Sequence, residues 1–167
     1  MEINLSGKRL PKLPELPEII NGDFWCNSNK LTTLKGSPKI VNGSFFCRRN
    51  RLTSLEKGPK FVGNHFWCSM NRLTSLKGGP ENVGVEFHCS DNYLTNLEGA
   101  PKNVGNFWCV ENQLITLYGA PKRVNGCFMC DRNKITSLIY TPKNPFEISY
   151  FNNCLLSLDY IPNSVHV

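Results

Sequence analysis

One interval governs this chain. Asparagine recurs at Asn29, Asn50, Asn71, Asn92, Asn112, Asn133 and Asn153, at steps of 21, 21, 21, 20, 21 and 20 residues. Two residues after each comes Leu31, Leu52, Leu73, Leu94, Leu114, Ile135 or Leu155, and three further on Leu34, Leu55, Leu76, Leu97, Leu117, Leu138 or Leu158. Proline follows four later, at Pro38, Pro59, Pro80, Pro101, Pro121, Pro142 and Pro162. Ahead of each Asn stands an apolar residue (Phe24, Phe45, Phe66, Phe87, Phe107, Phe128, then Ile148). Two positions after it comes Cys26, Cys47, Cys68, Cys89, Cys109 or Cys130, then Tyr150. One unit reads V-x-G-x-F-x-C-x-x-N-x-L-T-x-L-x-G-x-P-K-x. A unit this short cannot bury an apolar face alone, so successive units must stack into a solenoid.

Ile3, Leu5, Leu10, Leu13, Pro17 and Ile20 sit one period ahead of the first full unit, which makes about eight rungs. The 167 residues then divide into a degenerate first rung over 1–21, regular repeats over 22–146 and a last rung over 147–167, all in one domain. Each Phe-x-Cys segment predicts a short parallel strand in which Phe and Cys point inward and the residue between them points out. Asn tolerates a turn conformation and bonds backbone groups as the chain leaves the strand. Gly and Pro turn the return segment, where 20–21 residues leave room only for extended or short 3₁₀ pieces.

The pattern resembles the leucine-rich repeat, L-x-x-L-x-L-x-x-N/C-x-L. Phe107-x-Cys109-x-x-Asn112-x-Leu114 fits it with Val104 as the first apolar position, and the other internal units carry one extra residue between Val and Phe. The run Leu10-Pro-Lys-Leu13-Pro-Glu-Leu16-Pro is similar to the short repeats of bacterial effectors. Leu97-Glu-Gly-Ala-Pro101-Lys and Asn71-Arg-Leu-Thr-Ser-Leu76 resemble repeat proteins of tailed bacteriophages and their hosts. The resemblance implies an α/β-solenoid of mostly β content, with strands on the concave face. It also implies a binding module whose partner is a host immune or regulatory protein, acting in the host cytoplasm.

The outward position between Phe and Cys holds Trp25, Phe46, Trp67, His88, Trp108, Met129 and Ser149. A row of large aromatics on an outer sheet face marks an interaction surface, because Trp and Tyr dominate interface hot spots; the same row also packs as a cross-strand ladder. The flanks are mixed, basic through Arg48, Arg49, Arg51 and Arg72 and acidic through Glu86, Asp91 and Glu111. A phosphate track wants continuous positive charge, so this face suits a protein better. The alternative is a nucleic acid or nucleotide, with Trp25, Phe46 and Trp67 stacking bases and Arg48, Arg49 and Arg72 meeting phosphates. After each Pro a second column runs Lys39, Lys60, Glu81, Lys102, Lys122 and Lys143. Such rows usually serve solubility, and this one is a weaker candidate for nucleic-acid or acidic-partner binding. The last rung, ending Val165-His166-Val167, offers a parallel edge at which two copies could pair.

Chemistry is sparse. The net charge of +6 is mild, and no stretch approaches the ~20 apolar residues that span a bilayer. Met1-Glu2-Ile3-Asn4-Leu5 lacks a basic segment followed by an apolar run, so a cytoplasmic location is expected. Six of the eight cysteines occupy the inward position, where Cys acts as a small hydrophobe. Cys127-x-x-Cys130 is a weak zinc or redox motif whose two thiols face opposite ways, and Cys154 is the candidate reactive surface thiol. His88 and Cys89 alternate across the strand and cannot form a nucleophile–base pair. His65 lies beside Glu86 on the next rung with His88 diagonal to it, an arrangement that reads as a surface ion pair. Neither a cofactor, a metal nor catalysis is expected.

Overall fold

The computed structural model describes residues 2–143 and 145–160; Pro162 and the tail at 165–167 lie outside them. Eight short parallel strands form one sheet in chain order: Ile3–Asn4, Phe24–Trp25, Phe45–Phe46, His65–Trp67, Glu86–His88, Asn106–Trp108, Cys127–Met129 and Glu147–Ser149. Identical repeat positions stand opposite one another, so Phe24, Phe45, Phe66, Phe87, Phe107, Phe128 and Ile148 form one inward line. The chain is thus a parallel β-solenoid of roughly eight rungs.

The return side is more regular than expected. The pairs Ile19–Ile20, Ile40–Val41, Phe61–Val62 and Asn82–Val83 build a four-stranded parallel sheet, and Asn103–Val104 pairs with Arg123–Val124. Among the described residues there is no 3₁₀ turn and no helix, hence none long and apolar enough to cross a membrane. The break between these two small sheets has a covalent origin. Three residues separate Val83 from Phe87, but only Gly105 and Asn106 separate Val104 from Phe107. The long sheet keeps Phe107 opposite Phe87, so the missing residue is absorbed on the return side. The amide-to-carbonyl bonds from Lys39 to Glu18, Lys60 to Lys39, Glu81 to Lys60, Lys122 to Lys102 and Lys143 to Lys122 have no counterpart from Lys102 to Glu81.

Between the sheets the six phenylalanine rings stack at centroid distances of 5.1 to 5.7 Å and are fully buried. The six inward cysteines and the paired leucines fill the remaining layers. Truncating one such Phe to Ala costs about 3–5 kcal/mol.

The asparagines staple rung to rung. Asn71 Nδ2 donates to the carbonyls of Cys47, Cys68 and Ser69 at 3.1, 3.0 and 3.3 Å, while its Oδ1 accepts the Leu52 amide at 3.0 Å. The other six repeat the pattern, so each amide group ties its own rung to the one before. The turn conformation, however, falls on the residue before Asn. Ser28, Arg49, Met70, Asp91, Glu111, Arg132 and Asn152 all have φ between 53° and 56°. The Asn backbone stays in ordinary space, which aims its side chain along the carbonyls.

Just before the second leucine, a hydroxyl or amide oxygen (Thr33, Ser54, Ser75, Asn96, Thr116, Ser137) accepts the amide two residues on. The turn that follows places Gly36, Gly78, Gly99 and Gly119 at φ 82° to 96°. Lys57 holds the equivalent place at φ 65°, strained for a residue with a Cβ.

Candidate functional site: the aromatic face of the long sheet

Strand alternation that buries Phe and Cys turns the intervening side chains to the outer face. There Trp25, Phe46, Trp67, His88 and Trp108 form one continuous column of half-buried rings. Trp25 stacks on Phe46 at 5.9 Å, Phe46 meets Trp67 edge-on at 5.0 Å, and His88 lies 5.9 Å from both Trp67 and Trp108. Met129 continues the column but is only 9% exposed, and Ser149 ends it. The expected row of water-facing aromatics is therefore also a packed ladder: each ring covers the edge of its neighbour and keeps part of its own surface wet.

Trp67 is the hub. His65 from its own strand lies 6.1 Å away edge-on, and the Arg48 guanidinium sits 5.6 Å from its ring centre, within cation–π range. Nε1 of Trp67, Nε1 of Trp108 and Nδ1 of His65 are buried without a hydrogen-bond partner. Buried polar groups are normally paired, so three orphans on one face are notable.

The arginines divide. Arg48 belongs to the aromatic column, Arg49 is exposed at its left-handed turn with Nε 3.2 Å from Met70 Sδ, and Arg72 is exposed on the next ladder beyond Asn71. The acidic middle is internally compensated: Arg132 pairs with Glu111, which holds the Glu111 carboxyl below its usual range. Burial and the hydrogen bond to Glu111 raise the Asp91 carboxyl.

His65 stands opposite Glu86 and Trp67 opposite His88, as the repeat implied. The surface ion pair expected of the trio does not form among the described residues, because His65 packs on Trp67 instead. Burial lowers the His88 pKa below the ordinary imidazole value; Glu86 offsets part of this and Arg48 adds to it. No three His, Cys, Asp or Glu side chains converge on a metal-sized site among the described residues.

All eight cysteines are free. Burial pushes the six inward thiols far above their usual pKa, and Cys89, Cys109 and Cys130 donate to carbonyls of the next rung at 3.2 to 3.3 Å. Cys127 is half-buried on the opposite side from Cys130, with Sγ 3.5 Å from Glu147 Oε2; partial burial and then that carboxylate raise its pKa. Cys154 is exposed.

Column-wise reading overlooked one feature. At the position held by Lys35, Glu56, Lys77 and Glu98, the later rungs carry Tyr118 and Ile139; Tyr140 follows, and it meets Tyr118 at 5.6 Å. A change of residue class within a column was the available signal.

The fold and this face define a β-solenoid carrying an aromatic-lined sheet surface. Comparison with protein-family models finds no family that matches the chain, and comparison with curated proteins finds no match.

Proposed function

We propose that the chain is a non-catalytic binding module that docks a protein through the outer aromatic column. The carrying observation is the run of half-exposed rings from Trp25 to Trp108, with Arg48 against Trp67. Such rings are stiff and amphipathic, so a partner gains buried area while little side-chain entropy is lost. Rotation of the Trp67 and Trp108 indoles would offer their unpaired N–H groups to acceptors on the partner. The likeness of the repeat units to those of tailed phages makes a host immune or regulatory protein the reading for that partner. Affinity capture from bacterial lysate, with and without nuclease, tests this beside Trp67→Ala and Trp108→Ala. A discrete protein retained in both conditions and weakened at least about 30-fold by either variant supports docking, since hot-spot truncations cost ~2 kcal/mol or more. Unchanged retention by both folded variants refutes it.

Two other readings have particular observations behind them. Arg48 over Trp67 suits a stacked base with a nearby phosphate, which predicts steep loss of affinity with salt. At the carboxyl end, Phe146 and Phe151 are 77% and 74% exposed beside the terminal strand Glu147–Ser149, which suits pairing of two copies. A mass independent of concentration dismisses the latter.

A further inference from the structure

On the return side, away from the aromatic column, Lys39, Lys60, Glu81, Lys102, Lys122 and Lys143 stand in one exposed line. Backbone bonds link consecutive members except at the Glu81–Lys102 step, and five rung spacings of ~4.8 Å make the line about 24 Å long. Three separate shallow clefts of about 410, 300 and 490 Å³ open beside it. The first holds Lys35, Lys39 and Lys57 together with Glu15 and Glu18; the second holds Lys60, Lys77, Glu81 and Lys102. Lys122, Arg123, Lys143 and Tyr140 line the third. Tyr118 and Tyr140 each leave about half their surface to water beside those cations.

We infer that this surface binds single-stranded nucleic acid, with phosphates along the lysine line and an unpaired base against Tyr118 and Tyr140. Lysines are point charges that suit a phosphodiester chain of any sequence. A tyrosine pair at one end adds a stacking platform that a duplex, with its bases already stacked, does not exploit. Glu15 and Glu18 repel the strand at the amino-terminal end, so the tight part of the track runs from Lys60 to Lys143 with Glu81 as an internal brake. This surface is separate from the protein-docking face, so either assignment can fail without the other.

The test is anisotropy of a labelled 20-nucleotide oligothymidylate titrated with the full chain from 50 to 200 mM NaCl. With one phosphate per lysine of the tight part (Lys60, Lys102, Lys122 and Lys143), four contacts give a log–log slope of about −2.8, a loss of roughly 50-fold over that range. Lys122→Glu/Lys143→Glu is expected to weaken binding at least tenfold and flatten the slope by about 1.4, and Glu81→Lys to tighten it and steepen the slope by about 0.7. Tyr140→Ala is expected to weaken binding severalfold, while Trp67→Ala leaves it unchanged. All five positions are at least partly exposed, and retention of the wild-type melting temperature certifies each fold. No binding at 50 mM salt, a slope near zero, equal affinity for polyglutamate, no response to Glu81→Lys, or loss in Trp67→Ala would each overturn the assignment.

Discussion

Replacing Asn71 by alanine removes four hydrogen bonds from the middle of the solenoid, and the structure lets the cost be apportioned. The three carbonyls each keep another donor: Cys47 keeps Asn50, Cys68 keeps Asn92, and Ser69 keeps the Arg49 amide. Their losses fall at the low end of the net range, about 0.5 kcal/mol each. The buried Leu52 amide loses the Asn71 oxygen, its one acceptor on that side, and an orphaned donor costs about 1–3 kcal/mol. The sum is about 2.5 to 4.5 kcal/mol. Asn71→Asp keeps the acceptor for Leu52 but turns a carboxylate toward three carbonyl oxygens, so it is expected to cost more than alanine at neutral pH. Its folded-state pKa is raised, so the folded form binds a proton that the unfolded form, near pKa ~3.9, has released. The aspartate variant therefore recovers stability as pH falls through the raised value toward ~4, while the alanine variant shows no such recovery. Denaturant unfolding followed by circular dichroism measures both. A cost below about 1 kcal/mol for Asn71→Ala, or an Asn71→Asp variant indifferent to acid, would refute the idea that asparagines staple the rungs.

Lys57→Gly is expected to stabilise the chain by up to about 1 kcal/mol, because Gly36, Gly78, Gly99 and Gly119 hold this positive-φ place in four other rungs; a lower unfolding midpoint would contradict this. In native alkylation monitored by mass spectrometry, Cys154 reacts first, Cys127 slowly, and the six inward cysteines only after unfolding; early labelling of Cys68 would contradict their burial. Because burial lowers the His88 pKa, the unfolded form binds more protons in the window below ~6.5, and stability falls as pH drops through it. His88→Phe is expected to shrink that acid loss, read as the shift in denaturant midpoint between pH 7.5 and pH 5.5.

Much of this was legible because the repeat turns positions into columns. One period identifies which side chains stack, and strand alternation then separates Phe66 and Cys68 inward from Trp67 outward. What escaped was whatever depends on neighbours across rungs. Two-residue strands such as Ile40–Val41 are too short to show a period. The left-handed residue before Asn is Ser, Arg, Met, Asp, Glu or Asn by turns, so no residue type marks it. The burial of Met129 and the pairing of His65 with Trp67 instead of Glu86 depend on ring sizes and rotamers. The gap between Glu81 and Lys102 follows from a single missing residue whose effect could have landed on either sheet.

All three tryptophans lie in the outer column, so their fluorescence reports on that face alone. Acrylamide quenching of the free chain, compared with the chain bound to the protein it captures, is the most direct test of docking there. The account predicts accessible emission in the free chain and clear protection with a spectral shift on binding, both diminished by Trp67→Ala. Quenching that is identical in the free and bound forms would place the partner elsewhere on the solenoid.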